Sequence, residues 1–191
     1  MSYQESGERL AAYRREIVGI RAKMRALQTE REPQAVRDYE FGTPRGTTRL
    51  SELFGKQDDL IVIHNMGKSC PCCTLWADGY NGVYEHLANR AAFVVSSPDS
   101  PLVQQDFATS RGWKFRMVSH EGTSFAKDMG YRAKSGGWMP GISVFRRDAG
   151  RILRLSDAAF DQGDDFCIVW HILDLFPEGK GEWAPKYSYG R

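Results

Sequence analysis

Between residues 10 and 27 apolar side chains recur every three or four positions, at Leu10, Tyr13, Ile17, Ile20, Met24 and Leu27, among Glu, Arg, Lys and Ala. That spacing lays one narrow apolar stripe along an amphipathic helix over residues 5–30, and Glu32-Pro33 stops it. A stripe of that length does not stay in water. The helix is expected to dock on the domain's own surface or to join a second subunit, forming a homodimer.

Beyond residue 37 the pattern changes. Residues 38–41 read as a short strand, Gly42-Thr43-Pro44-Arg45-Gly46 as a turn, and residues 51–54 as a helical turn before Gly55. Residues 60–65 (Leu-Ile-Val-Ile-His-Asn) are apolar almost throughout, as in a strand covered on both faces, and are predicted to be the central strand. A helix is expected over 74–89, a buried strand over 91–97 ended by Pro98, a helix over 102–111 and a short strand over 114–118. After a break at Gly136-Gly137, residues 140–147 and 151–155 form a hairpin about Asp148-Ala149-Gly150. Asp164 or Asp165 can cap a last helix through residue 175, which Phe176-Pro177 ends. Strand and helix alternate as βαβαβ before the hairpin, which predicts parallel pairing with right-handed crossovers.

The 191 residues suit one domain with a substantial core. We divide the chain into an N-terminal helical extension, residues 1–34, and an α/β domain, residues 35–191. With 26 Lys and Arg against 24 Asp and Glu, the net charge is +2 and no basic block stands out. Nucleic acid and anionic membranes are therefore not expected partners. No run approaches the roughly 18 apolar residues of a membrane span, and residues 1–8 are polar, without an apolar signal region. The expected location is the cytoplasm.

Three of the four cysteines fall within residues 70–73. So tight a cluster cannot form the spread framework of a small secreted scaffold, and a reducing compartment favours a reactive or metal-binding group. Cys70 and Cys73 form a Cys-x-x-Cys pair where the central strand gives way to a helix. Thiols at this spacing can close and reopen a disulfide and so carry two electrons, and the context of strand then helix reads as thioredoxin-like redox chemistry. Ser69 or Cys70 should lie near the N-cap, with Pro71 where its missing N–H costs nothing. The helix dipole and Lys68 should then lower the pKa of Cys70 and make it the nucleophile, while Cys73, one turn deeper, resolves the mixed disulfide. The rival is a metal site, which lacks a second ligand pair and would have to recruit His64 or His120 from afar.

Other positions admit two readings each. Cys72 is a third redox partner or an incidental exposed thiol, and Cys167 is most simply a buried structural thiol. Trp76 and Asp78 share a helix segment with Gly79 and Gly82, which close packing or a binding surface could justify. Asp78 is either a proton acceptor for Cys73 or a solvated acid, the second being the simpler. His64 reads as a satisfied core histidine rather than a catalyst. Trp113, Phe115, Tyr131, Trp138, Trp170 and Trp183 are expected mostly in the core.

The order of elements, the position of the dithiol and a proline opening the hairpin resemble the thioredoxin-like superfamily. More specifically, Cys70-Pro71-Cys72-Cys73, Trp76-Ala77-Asp78, Gly82, Phe115, Phe125, the run from Pro140 to Phe145 and Arg147-Asp148 resemble a bacterial family labelled a domain of unknown function and related to the peroxiredoxin branch. The resemblance covers nearly the whole chain. It implies a thioredoxin-like fold with a central mixed sheet flanked by helices. It also implies a cis-proline at Pro140, with Met139 presenting its backbone to an extended substrate; an ordinary trans-proline in a turn is the alternative. The peroxiredoxin pattern Pro-x-x-x-Thr-x-x-Cys would require Pro and Thr where Ile63 and Gly67 stand, which disfavours the usual peroxidase; the Cys-Pro-x-Cys form looks more like the dithiol of glutaredoxin. The expected activity is thiol-disulfide exchange with a protein or small-molecule substrate and a cellular thiol as reductant, without cofactor or metal. A thiol-dependent peroxidase and a non-enzymatic metal-binding or redox-sensing module are the alternatives.

Overall fold

The computed structural model describes residues 1–190. The chain divides into two compact units, Met1–Gln34 and Ala35–Arg191. The first is almost entirely one helix, α1 (Tyr3–Glu30), opened by a reciprocal cap: the Ser2 hydroxyl accepts the Glu5 N–H at 3.1 Å and the Glu5 carboxylate accepts the Ser2 N–H at 2.6 Å. None of its side chains is buried.

The second unit contains, in chain order, β1 (Gln34–Val36, beginning at the boundary), β2 (Glu40–Thr43), β3 (Gly46–Arg49), α2 (Leu50–Leu53), β4 (Asp59–His64), α3 (Pro71–Arg90), β5 (Ala92–Ser97), α4 (Pro101–Arg111), β6 (Arg116–Ser119), α5 (Phe125–Asp128), β7 (Gly141–Asp148), β8 (Arg151–Ala159) and α6 (Ile168–Leu173). The eight strands form one mixed sheet in the order β1-β8-β7-β4-β5-β6-β2-β3. β4, β5 and β6 run parallel, while β7 pairs antiparallel with β4, bringing Gly141 opposite His64. This is a thioredoxin-like fold.

The alternation along β4 sorts the core into two layers. Leu60 and Val62 join Val94, Val118 and Phe145 under Leu50, Leu53 and Phe54 and under Phe125 of α5. Ile63 joins Phe93, Val95 and Phe115 on the other face, beneath Cys73, Trp76, Ala77 and Tyr80 of α3 and Trp170 of α6. Each such large apolar side chain, fully buried, contributes about 1.5–3 kcal/mol. The dithiol helix is thus anchored on the second layer.

Several elements differ from their sequence pattern. The predicted turn over residues 42–46 tightens to Pro44-Arg45, and its flanks pair as a β2/β3 hairpin with Gly46 at φ +122°. The last helix starts after Cys167, not Asp164 or Asp165. The Asp164 carboxylate instead accepts the N–H groups of Asp161 and Phe166 at 3.1 and 2.9 Å and shapes the preceding loop. α5 was not anticipated, being only four residues long. Among the described residues no helix is long and apolar enough to cross a membrane.

Candidate dithiol active site

Strand β4 leads into the loop of residues 65–69, which is tied down on both sides. The Asn65 side chain donates to the Cys73 carbonyl at 3.4 Å and accepts the Gly67 N–H at 2.8 Å. The Lys68 N–H donates to Asp99, beyond the end of β5, at 2.7 Å. Gly67 has φ +100°, and a Cβ there would meet both Asp99 carboxylate oxygens at 3.0 Å. This loop admits glycine and little else at 67.

Cys70 is itself the N-cap of α3, with extended backbone, and Pro71 takes the first helical position. The Cys70 sulfur accepts the Cys73 N–H at 3.2 Å, while the Cys73 sulfur accepts the Met66 N–H at 3.4 Å. Both thiols are reduced, Cys70 partly exposed and Cys73 buried. The pKa of Cys70 is lowered to about 6. The largest cause is the hydrogen bond with the Cys73 thiol, the backbone N–H groups of Cys73 and Cys72 add to it, and burial opposes it. Cys73 is pushed well up, first by its hydrogen bond to Cys70, then by burial and the Cys70 charge. One thiol holds the proton that the other releases.

The tuning residues fall elsewhere than expected. Lys68 has an exposed side chain and is absent from the groups that lower Cys70. Asp78 is not merely solvated: it forms an ion pair with Arg111 of α4 and accepts the Trp113 indole N–H at 2.8 Å, and it is not among the groups that shift Cys73. The acid locks α3 to α4. Trp76 is buried, lies tilted against Phe160 with ring centroids 5.3 Å apart and donates to Asp164 at 3.4 Å, making it a core anchor. Cys72 is partly exposed; burial and the neighbouring Cys70 charge raise its pKa, against a bond with the Gln162 side chain. A Cβ at Gly79 or Gly82 would meet nothing within 4 Å, so close packing does not explain either glycine.

Pro140 corrects another expectation. No peptide bond among the described residues is cis, so Met139-Pro140 is trans. The loop is fixed by other means. The Met139 N–H donates to the Tyr131 carbonyl at 3.0 Å and the Pro140 carbonyl accepts the Phe160 N–H at 3.0 Å. The Tyr131 ring lies across Gly141, where a Cβ would meet it at 2.1 Å and the Ala158 carbonyl at 2.6 Å. The register still brings Pro140 to the end of β4 from which the dithiol loop departs, and Met139 is 38 % exposed there.

On the opposite face from α3, two histidines are buried. His64 Nε2 lies 2.9 Å from the Ser143 hydroxyl with its ring stacked on Tyr131 at 3.7 Å; His120 Nδ1 lies 2.9 Å from the Ser96 hydroxyl with its ring edge-on to Trp138 at 4.9 Å. Burial keeps both neutral, with His120 lowered to about 4 and His64 well below its usual value. Neither is recruited to the cysteines, and among the described residues no three His, Cys, Asp or Glu side chains are grouped to hold a metal. Tyr187 went unnoticed in the sequence. Arg111, which binds Asp78, also donates to the Tyr187 carbonyl, and the Tyr187 phenol is raised by burial and by the charges of Cys70 and Cys73. Only the fold reveals this neighbour, 114 positions from Cys73, since no local pattern marks it.

Peroxiredoxins are among the solved structures with a similar fold. The peroxidoxin BcpB of Mycobacterium tuberculosis is 26 % identical, covering 66 % of this chain and 84 % of its own, with a TM-score of 0.54. Reduced Prx3 of Vibrio vulnificus is 15 % identical over 70 % of this chain and 89 % of its own, at 0.56. A cysteine mutant of peroxiredoxin Q from Xanthomonas campestris is 16 % identical over 63 % and 80 %, at 0.53. Comparison with curated proteins returns no match. The family model of DUF899, described as a bacterial protein of unknown function, matches residues 4–191. The chain belongs to the DUF899 family and carries the thioredoxin-like fold of the peroxiredoxin branch.

Proposed function

We propose that the protein is a thiol-disulfide oxidoreductase in which Cys70 attacks and Cys73 resolves. The observation that carries this reading is the division of protonation between the two thiols, with Cys70 lowered to about 6 and Cys73 raised. At neutral pH the Cys70 thiolate attacks one sulfur of a substrate disulfide, forming a mixed disulfide and releasing the other sulfur as a thiolate that takes a proton from water. The charge on Cys70 disappears in that step, and with it two of the causes that hold the proton on Cys73. Cys73 then loses its proton, its thiolate stabilised by the Met66 N–H, and attacks the Cys70 sulfur. The second substrate thiol leaves and the Cys70–Cys73 disulfide forms. The substrate has gained two electrons, which two equivalents of a cellular monothiol, or one dithiol, restore to the enzyme as they are oxidised to a disulfide.

Met139, at the exposed end of the loop before β7, is the proposed contact for an extended substrate. The experiment is a glutathione redox titration of the wild type and of Cys73→Ser, read by mass spectrometry after trapping of thiols. A reversible Cys70–Cys73 disulfide in the wild type and a mixed disulfide held on Cys70 in the variant are expected. Thiols that stay reduced throughout the titration would overturn the reading.

A thiol peroxidase is the second reading, favoured by the peroxiredoxins among the structural neighbours. Here the Cys70 thiolate would attack the peroxide oxygen, releasing water or an alcohol and leaving a sulfenic acid. Cys73 would condense with it to a disulfide and a second water. Gly67, in place of the threonine hydroxyl of the peroxiredoxin pattern, ranks this reading below the first. Peroxide consumption by the wild type that Cys70→Ser abolishes would reverse the order.

A further inference from the structure

The apolar stripe of α1 keeps a strict alternation of three and four. Written as a heptad, Leu10, Ile17 and Met24 occupy a, and Tyr13, Ile20 and Leu27 occupy d. These six side chains are between 46 % and 68 % exposed. Gly7 and Gly19 lower the helix's intrinsic propensity, and within its own unit, Met1–Gln34, a single helix of 28 residues has no second element on which to pack its stripe. A period of 3.5 residues matches another helix wound on the same repeat.

We propose that the occupant of this stripe is α1 of a second copy of the chain, in an antiparallel two-stranded coiled coil. The charges that flank the stripe select the orientation. In an antiparallel pair the a layers face d layers, so Leu10 meets Leu27, Tyr13 meets Met24 and Ile17 meets Ile20 of the second copy. That register sets Glu16 against Lys23 and Arg9 against Glu30 along one flank, each contact occurring twice by symmetry. The other flank brings Arg14 to Arg21. A parallel pair instead sets Arg9 against Arg14 and Lys23 against Gln28, leaving Glu16 with Arg21 as its sole complementary contact. The antiparallel arrangement therefore has twice the complementary pairs with the same number of like-charge contacts.

The test is sedimentation equilibrium of the full chain in the presence of a reductant, which removes any disulfide cross-link. The wild type is expected to be a dimer at tens of micromolar, and Ile17→Asp/Ile20→Asp a monomer with the same near-ultraviolet circular dichroism, which reports the α/β domain. Glu16→Lys should weaken the dimer about tenfold, and Glu16→Lys/Lys23→Glu should restore it, because the pair reforms with its charges exchanged. A monomeric wild type, or a dimer that survives Ile17→Asp/Ile20→Asp, overturns the proposal. A double charge variant no tighter than Glu16→Lys overturns the antiparallel orientation. None of these outcomes depends on the chemistry of the dithiol.

Discussion

The Cys73 N–H points at the Cys70 sulfur from 3.2 Å, and the thiols of the same two residues share a proton. Cys70 owes its acidity to its own helix turn. Alkylation of Cys70 by iodoacetamide should therefore follow a midpoint near pH 6. Cys73→Ala removes the largest cause and leaves the backbone N–H groups, so the midpoint should move up toward that of an ordinary thiol. Lys68→Ala should leave it in place. A midpoint that follows Lys68 and ignores Cys73 would refute this account; the rate at each pH, read by mass spectrometry of the Cys70 peptide, decides.

The same proton makes the reduced protein's stability depend on pH. The folded pKa of Cys70 is depressed, from 9.0 to about 6, so between these values the unfolded chain binds more protons than the native one. Stability thus rises from pH 6 to pH 9 and is lost as pH falls through the folded value. Three units would carry roughly 4 kcal/mol without solvent screening; Cys70 is partly exposed, and about 2 kcal/mol is the expected gain. Urea unfolding of the reduced wild type should show it, and Cys70→Ser should flatten the profile. Cys72, Cys73 and Cys167 are raised from 9.0, so they oppose the rise only as pH approaches 9, where the unfolded chain sheds protons that the native chain keeps, and the rise is read between pH 6 and pH 8.

Local patterns made β4, α3, β5 and α4 legible, because a doubly buried parallel strand is a short apolar run; the two helices begin earlier than the expected 74 and 102, at Pro71 and Pro101, which fit a first helical position. The same logic puts the N-cap at Ser69 or Cys70, and the structure has Cys70. What stayed hidden depends on residues far apart in the chain. Arg111, 33 positions from Asp78, turns a plausible proton acceptor into a brace between helices. Tyr131 and Phe160 hold the loop of Pro140 through backbone hydrogen bonds that no local pattern announces. Lys68 suggests a field effect from its place in the sequence, whereas hydrogen bonds within one helical turn dominate at this range.

The buried histidines predict a separate loss of stability in acid. Both are lowered by burial, so below the unfolded value of 6.5 the unfolded chain takes up protons that the native chain refuses. The histidines' contribution to stability is complete above pH 6.5 and falls toward pH 4, by about 3 kcal/mol from His120 alone. His120→Gln should reduce the slope of unfolding free energy against pH between 6.5 and 4. An unchanged slope would mean that His120 is protonated in the fold. Because this window lies below that of Cys70, the two effects separate in one titration.

Glycines at two places should respond oppositely to alanine. A Cβ at Gly141 would sit 2.1 Å from the Tyr131 ring and 2.6 Å from the Ala158 carbonyl, and the backbone atom cannot yield as a flexible side chain would. Gly141→Ala should cost about 3 kcal/mol or more, and by moving the strand beside Pro140 it should also slow disulfide exchange. Gly79 and Gly82 lie exposed in α3 with nothing within 4 Å of a Cβ, so each alanine should add about 0.5–1 kcal/mol through helix propensity. Thermal unfolding measures the stability of all three variants. The exchange rate adds what stability cannot tell: if Gly79→Ala or Gly82→Ala stabilises α3 yet slows turnover, that exposed helix face contacts the substrate, and if the rate is unchanged, the recognition surface lies at the Met139 end of the site.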